Sequence, residues 1–200
     1  MQQAKKRGLF IVFEGLDRSG KSTQAKKLAE RLQGDFICFP NRENCESGQL
    51  LNAYLKNGKD MGDESVHLLF AMNRWEMRNS IVQRLQDGQS VICDRYAYSG
   101  VCYSSAKGLK FDWCLGADRG LVKPDLVFYI DMSANDIAKR AGFGDERFEK
   151  IEFQSKVEQQ FASFKQAGCS DSEFPTSDAR HWVNIAATGL SIEEVESKIL

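Results

Sequence analysis

Short, almost uninterrupted apolar runs punctuate the 200-residue chain at 9–13, 35–39, 90–93, 126–130 and 181–185. Runs of this kind, apolar at successive rather than alternate positions, are what strands show when helices cover both faces of a parallel sheet. Between them apolar residues return every three or four positions, which predicts helices over 21–33, 47–57, 65–86, 97–106, 133–140, 149–167 and 191–198. Strands alternate with helices along most of the length, and the expected fold is an α/β three-layer sandwich with a five-stranded parallel sheet. In the segment 149–167, Phe153, Val157, Phe161 and Phe164 form one helical stripe, read as core packing rather than a cofactor surface.

The first apolar run leads directly into FEGLDRSGKST at 13–23, which holds G-x-x-x-x-G-K-S from Gly15 to Ser22, and the first helical segment begins at its end. Strand, glycine-rich turn and helix in that order make a phosphate-binding loop, because triphosphate oxygens need converging donors that a regular element cannot supply. Gly15 and Gly20 permit the tight turn. Lys21 reaches the β- and γ-phosphates, and Ser22 offers a hydroxyl to Mg2+ at the positive end of the helix. In an open α/β sheet such a loop lies beyond the carboxyl ends of the strands, so the first strand should be central, with Asp94 and Arg95 at the same edge.

Further residues carry candidate chemistry, each with a plainer alternative. Asp94 holds Mg2+ through water, orients an acceptor oxygen or caps the next helix, while Arg95 presents a rigid donor fork to a phosphate or closes a rim salt bridge. Arg18, inside the loop, either stabilises charge on a transferring phosphoryl group or faces solvent. Asp17 beside it should repel a triphosphate unless it looks away or accepts a hydrogen bond from a substrate hydroxyl, which points to a second substrate. Phe70 and Arg74, one helical turn apart, suit a flat ring and its carbonyl edge, or are core and surface respectively. Arg42, just beyond Pro40, is a second phosphate clamp or a solvated loop cation. The segment 139–149, KRAGFGDERFE, combines Gly142 and Gly144 with Arg140 and Arg147, as a lid that excludes water or as a polar loop.

Composition narrows the setting. A chain of 22.6 kDa without a Pro/Gly/Ser linker is expected to form a single domain over 1–200. With a formal net charge of -1 and only Lys5, Lys6 and Arg7 as a basic cluster, neither nucleic acid nor a membrane surface is an expected partner. Cysteines at 38, 45, 93, 102, 114 and 169 show no C-x-x-C or zinc spacing, so reduced thiols and a reducing compartment are expected. No apolar run approaches the roughly 20 residues of a membrane span, and no secretory signal is visible. The cytoplasm is the simplest location, with the nucleus left open.

Taken in order, FEGLDRSGKSTQ, FPNR at 39–42, SVHLLF ahead of NRW at 73–75, DRYAYSGVCY at 94–103, KPDL at 123–126 and FGDERFE at 143–149 resemble the thymidylate kinases of the eukaryotic and poxviral type. These belong to the P-loop nucleoside monophosphate kinase superfamily. The resemblance covers most of the chain and is least diagnostic over the last strand and C-terminal helix. It implies a homodimeric enzyme that transfers the γ-phosphoryl of ATP to dTMP with Mg2+. It further implies ATP contacts from Gly15, Leu16, Asp17, Arg18, Ser19, Gly20, Lys21, Ser22 and Thr23, with Arg140 from the lid, and metal contacts from Ser22 and Asp94. Arg18, Lys21, Asp94 and Arg95 would be catalytic. On the dTMP side it implies Asp17 at the 3'-hydroxyl, Arg42 and Arg95 at the 5'-phosphate, and Phe70 and Arg74 at the thymine. Phe39 and Gly100 complete that pocket, Tyr103 walls the sugar, and Phe148 stands where some relatives carry tyrosine. The competing readings are another nucleoside monophosphate kinase or a P-loop ATPase module.

Overall fold

The computed structural model describes residues 6–43, 45–140, 144, 146–167, 173–175 and 182–200. Its sheet has the strands β1 (Phe10–Gly15), β2 (Asp35–Cys38), β3 (Val91–Asp94), β4 (Leu126–Asp131) and β5 (Trp182–Ala186), in the spatial order β2-β3-β1-β4-β5. Every pairing is parallel, and β1 is central as expected, with Phe10 beside Val91 on one side and Ile11 beside Leu126 on the other. The helices are α1 (Lys21–Leu32), α2 (Glu46–Leu55), α3 (Asp63–Gln86), α4 (Ala97–Ala106), α5 (Phe111–Gly116), α6 (Ala134–Ile137), α7 (Ile151–Ala167) and α8 (Ile192–Ile199). Among the described residues, no helix is long and apolar enough to cross a membrane.

Two helices differ from the expectation. Six residues of α5 are too few to display a period, so its sequence FDWCLG gave no helical signal. The helix expected over 133–140 contracts to Ala134–Ile137, where the Ser133 hydroxyl accepts from the Asp136 N–H and caps a single turn. The chain then turns so that Arg140 can donate to the Arg18 carbonyl at 2.9 Å. His181, placed in the last strand by its apolar run, lies outside the described residues, as do Gly142 and Cys169.

The apolar residues of β1 are buried on both sides of the sheet, which is why its pattern is continuous. Val157, Phe161 and Phe164 of α7 are buried as the stripe required, and Phe164 joins Tyr98, Phe174 and Trp182 in an aromatic cluster. Each such ring removed from water contributes about 1.5–3 kcal/mol. Phe153 departs from that role: it is half-buried and stacks on Phe148 with centroids 5.1 Å apart. The short join between α1 and β2 also has a packing cause. Gln33 closes α1 in the left-handed region, and a Cβ on Gly34 would lie 2.6 Å from the Ile92 side chain and 2.9 Å from the Ser90 carbonyl.

Candidate active site: the phosphate loop and the acceptor cleft

The phosphate loop leaves β1 through Gly15, whose φ of 145° and proximity to the Ile130 carbonyl, 2.8 Å from where a Cβ would sit, admit only glycine. Arg18 and Gly20 also have positive φ, and α1 begins at Lys21 with no side-chain cap and no acid in its first turn. The amide donors and positive end of α1 are therefore left for an anion. Lys21 is buried and donates to the Leu16 carbonyl at 2.8 Å. Burial, followed by the nearby Arg95, pulls its pKa down to about 8, against the opposing pull of Asp94, Asp17 and Glu14.

Ser22 and Thr23 are exposed beside it, while Asp94 ends β3 with Oδ1 buried and without a hydrogen-bond partner. An orphaned carboxylate oxygen and a free hydroxyl at a helix start suit a hydrated hard cation that completes its shell with phosphate oxygens and water. No group of three or more His, Cys, Asp or Glu residues among the described residues forms a complete metal cage.

A cleft opens next to the loop at the same sheet edge. Asp17, Phe39, Arg42, Phe70 and Arg74 line it, as do Arg95, Gly100, Tyr103 and Phe148, so every residue assigned from sequence to the acceptor side meets there. Helix α3 presents Phe70 and Arg74 to the cleft from one face. Asn73 between them accepts from the Asn41 N–H at 2.7 Å and donates to the Asn41 carbonyl at 3.0 Å, which pins the loop carrying Arg42. A Cβ on Gly48 would sit 2.5 Å from that same carbonyl. At the other end Phe148 packs against Tyr103, Phe153 and Tyr54, with the Lys107 ammonium over its ring at 5.1 Å. The ring contacts of Phe148 need no phenolic oxygen.

The charged groups differ from the sequence reading in their pairing. Arg95 turns from Asp94 to ion-pair with Asp17, and it donates to the Gly15 carbonyl and the Ser99 hydroxyl, each at 3.0 Å. Burial works against ionisation of Asp17, but Arg95 and Lys21 outweigh it and hold the carboxyl below its usual range. Gln154 of α7 takes the other Asp17 oxygen at 2.7 Å. The acid in an anion-binding loop is thus neutralised by Arg95, a solution invisible in the sequence.

Helix α4 is not capped by Asp94 either. Buried Glu14 accepts from the Tyr96 and Ser99 N–H groups and from the Ser99 hydroxyl, and burial pushes its pKa up despite those bonds. An acid inside an otherwise apolar strand was a readable signal for such a role; Gln154, Lys107 and Asp118, the buried partner of Arg74, offered none.

Two further arginines hold lid carboxylates. Arg18 pairs bidentately with Glu149 at 2.7 and 3.1 Å, and Arg42 with Glu146 at 2.9 and 3.2 Å. Arg140 lines a second cleft with Ser19, Gly20 and Thr23, closed on the far side by Ala187, Leu190 and Ile192 after β5. Arg147, the other arginine of the lid segment, is tied to the Tyr54 carbonyl at 2.9 Å and to Asp60 at 2.6 Å. Such an arrangement can hold two phosphorylated molecules end to end, with Arg18, Lys21 and Arg95 between them.

Known proteins are similar to this chain across nearly its whole length. The family described as thymidylate kinase matches residues 13–199. The thymidylate kinase of Plasmodium falciparum is 45% identical over 206 residues, covering 100% of this chain and 91% of its own. That of Arabidopsis thaliana is 46% identical over 200 residues, covering 98% and 70% respectively. The solved thymidylate kinase from Candida albicans superposes with a TM-score of 0.82 at 37% identity, over 96% of this chain and 89% of that one. Phosphate loop, acceptor cleft and lid carboxylates therefore stand in a chain that belongs to the thymidylate kinase family.

Proposed function

We propose that the chain transfers the γ-phosphoryl group of ATP to dTMP, giving ADP and dTDP. The observation that carries this is the contact between Asp17 and Arg95: a phosphate-loop residue and an acceptor-cleft residue are one ion pair, so donor and acceptor sites share a wall. A 5'-phosphate oxygen of dTMP attacks the γ-phosphorus in line, the bond to the β,γ-bridging oxygen breaks, and ADP leaves with that electron pair. Ser22 and Asp94 would hold Mg2+, which would supply charge neutralisation at the donor oxygens.

The remaining work is positional. Lys21 leaves the Leu16 carbonyl for the β- and γ-phosphates, Arg18 exchanges Glu149 for the transferring group, and Arg42 exchanges Glu146 for the acceptor phosphate. Asp17, held by Arg95 and Gln154, presents its carboxylate towards the deoxyribose 3'-hydroxyl. Phe70 stacks on thymine and Arg74 donates to its carbonyl edge, while Tyr103 crowds the sugar against a 2'-hydroxyl.

A homodimer is part of the same proposal. Leu68, Met72 and Trp75, spaced along one stripe of α3, are 51%, 46% and 39% exposed, an apolar face that a second copy of this chain would cover. The described cysteines 38, 45, 93, 102 and 114 are free thiols, which supports a reducing compartment such as the cytoplasm.

The test is Mg2+-dependent ADP production with dTMP, dUMP, dCMP, dGMP or AMP supplied singly. Preference for dTMP with little ADP in the absence of acceptor is expected. Preference for another monophosphate would overturn the base assignment, and acceptor-independent hydrolysis would mark an ATPase.

A further inference from the structure

Arg74 is held more rigidly than any reading of its helix anticipates. Its Nε and Nη2 donate to Asp118 Oδ1 and Oδ2, each at 2.8 Å, a parallel two-bond fork between side chains 3% and 0% exposed. On one face the guanidinium lies against Gly100 of α4: a Cβ there would sit 2.5 Å from Nη2 and 3.0 Å from both Cζ and Nη1. Only the edge carried by Nη1 makes no hydrogen bond among the described residues, and Arg74 and Gly100 both line the acceptor cleft. Asp118 itself does not line the cleft.

We propose that Asp118 is the positioning residue for base selection, fixing Arg74 so that its free Nη1 edge presents donors to a pyrimidine carbonyl and disfavours an amino group at the same ring position. The inference rests on the thymidylate reading of the cleft. Two N–H donors on a permanent cation bond well to a 4-oxo group, whereas a 4-amino group brings its own N–H towards them and leaves buried donors unpaired. A site built on such donors discriminates much more strongly than one that senses a methyl group. Asp118 supplies both requirements for that discrimination. It offsets the cost of burying the Arg74 charge, and its fork consumes the edge that would otherwise let the guanidinium rotate.

The turn that carries Asp118 is also tied to α3 without it. Trp75 Nε1 donates to the Ala117 carbonyl at 2.9 Å and Arg78 Nε to the Gly120 carbonyl at 3.2 Å. Asp118→Asn therefore removes charge and one acceptor while the surrounding attachments persist.

The experiment is steady-state kinetics of the wild type, Asp118→Asn, Arg74→Gln and the double variant, with Mg-ATP and either dTMP or dCMP, each protein first checked by thermal melting. Asp118→Asn should raise the KM for dTMP at least tenfold with kcat within about threefold, leave the KM for ATP unchanged, and lower the dTMP:dCMP ratio of kcat/KM at least tenfold. In the Arg74→Gln background the same substitution should add no further loss of discrimination, the non-additivity expected of one unit. Unchanged dTMP KM and discrimination in folded Asp118→Asn, or additive losses in the double variant, overturn the proposal. If Asp118→Asn does not fold, Gly100→Ala decides, since it pushes on the same guanidinium from α4. A selective rise in dTMP KM with lost discrimination supports the proposal, and kinetics like the wild type overturn it. A wild type that prefers dCMP, or needs no acceptor, sinks the thymidylate reading and with it the proposal, while a dTMP-preferring wild type with insensitive variants sinks only the role of Asp118.

Discussion

Arg74 and Asp118 form their ion pair with side chains 3% and 0% exposed, while Arg42 and Glu146 form theirs at 31% and 39%. Arg74 and Arg42 both line the acceptor cleft, and the proposed function puts the first at its base end and the second at its phosphate end. Removing one partner of a buried pair costs about 3–5 kcal/mol because a charge is left without solvent or counterion, so the geometry of Arg74 is set before any substrate arrives. A solvent-facing pair contributes only about 0–1 kcal/mol after screening. A phosphate dianion can take Arg42 from Glu146 at little cost. On the proposed function, selectivity falls to a wall held by a buried pair and the acceptor phosphate to Arg42, whose present partner is exchangeable.

The largest expected effect tests the phosphate end. Arg18→Ala or Lys21→Met should lower kcat by about 10²–10⁴-fold, the range for groups that neutralise developing charge, with the fold retained. Near-normal steady-state turnover in both variants would remove the roles given to them. Next, Arg74→Gln should raise the KM for dTMP by about 10–100-fold and blur base choice, with a smaller change in kcat. Identical kinetics across several nucleoside monophosphates would show that the rigid wall does not read the base.

A third effect comes from Lys21, whose pKa of about 8 lies below its ordinary 10.5. Only the protonated form offers a positive charge to ATP, so kcat/KM for ATP should fall as pH rises through about 8, whereas bound triphosphate should move the corresponding limb in kcat to higher pH. For stability the sign is opposite. Between about pH 8 and 10.5 the unfolded chain binds more protons at this group than the folded chain, so its contribution to unfolding free energy rises with pH across that window and is flat below it. A pH profile for kcat/KM that is level from 7 to 9.5 would contradict the lowered pKa of Lys21.

The smallest effect is expected for Glu146→Gln, which should shift unfolding free energy by less than about 1 kcal/mol and lower or preserve the KM for dTMP. A loss of several kcal/mol measured by denaturant titration would erase the contrast between the two ion pairs.

The phosphate loop was legible because its chemistry is local: a tight turn, a lysine and a hydroxyl at the start of a helix occupy consecutive positions. The strands were legible because burial on both sheet faces leaves continuous apolar runs, and Phe70 with Arg74 because one helical turn places them on one face. Asp17 was legible only as a puzzle. Its counterion Arg95 lies on another strand edge, and Gln154 comes from α7, so neither contact leaves a trace in sequence spacing. The same holds for Glu14 as the cap of α4, although an acid in the apolar run FIVFEG was a signal of some buried role. Helix α5 escaped notice because its six residues complete fewer than two turns.

What the sequence by itself determined was the order of the strands, the central place of β1 and the phosphate-loop pattern at its end, since each depends on periodicity or on neighbours along the chain. Only the tertiary structure decided which carboxylate each arginine meets and how far each pair is shielded from water. That division has a physical cause: propensity and patterning act over a few residues, whereas the strength and exchangeability of an ion pair depend on burial and on partners brought together from distant segments by the closing of the sheet.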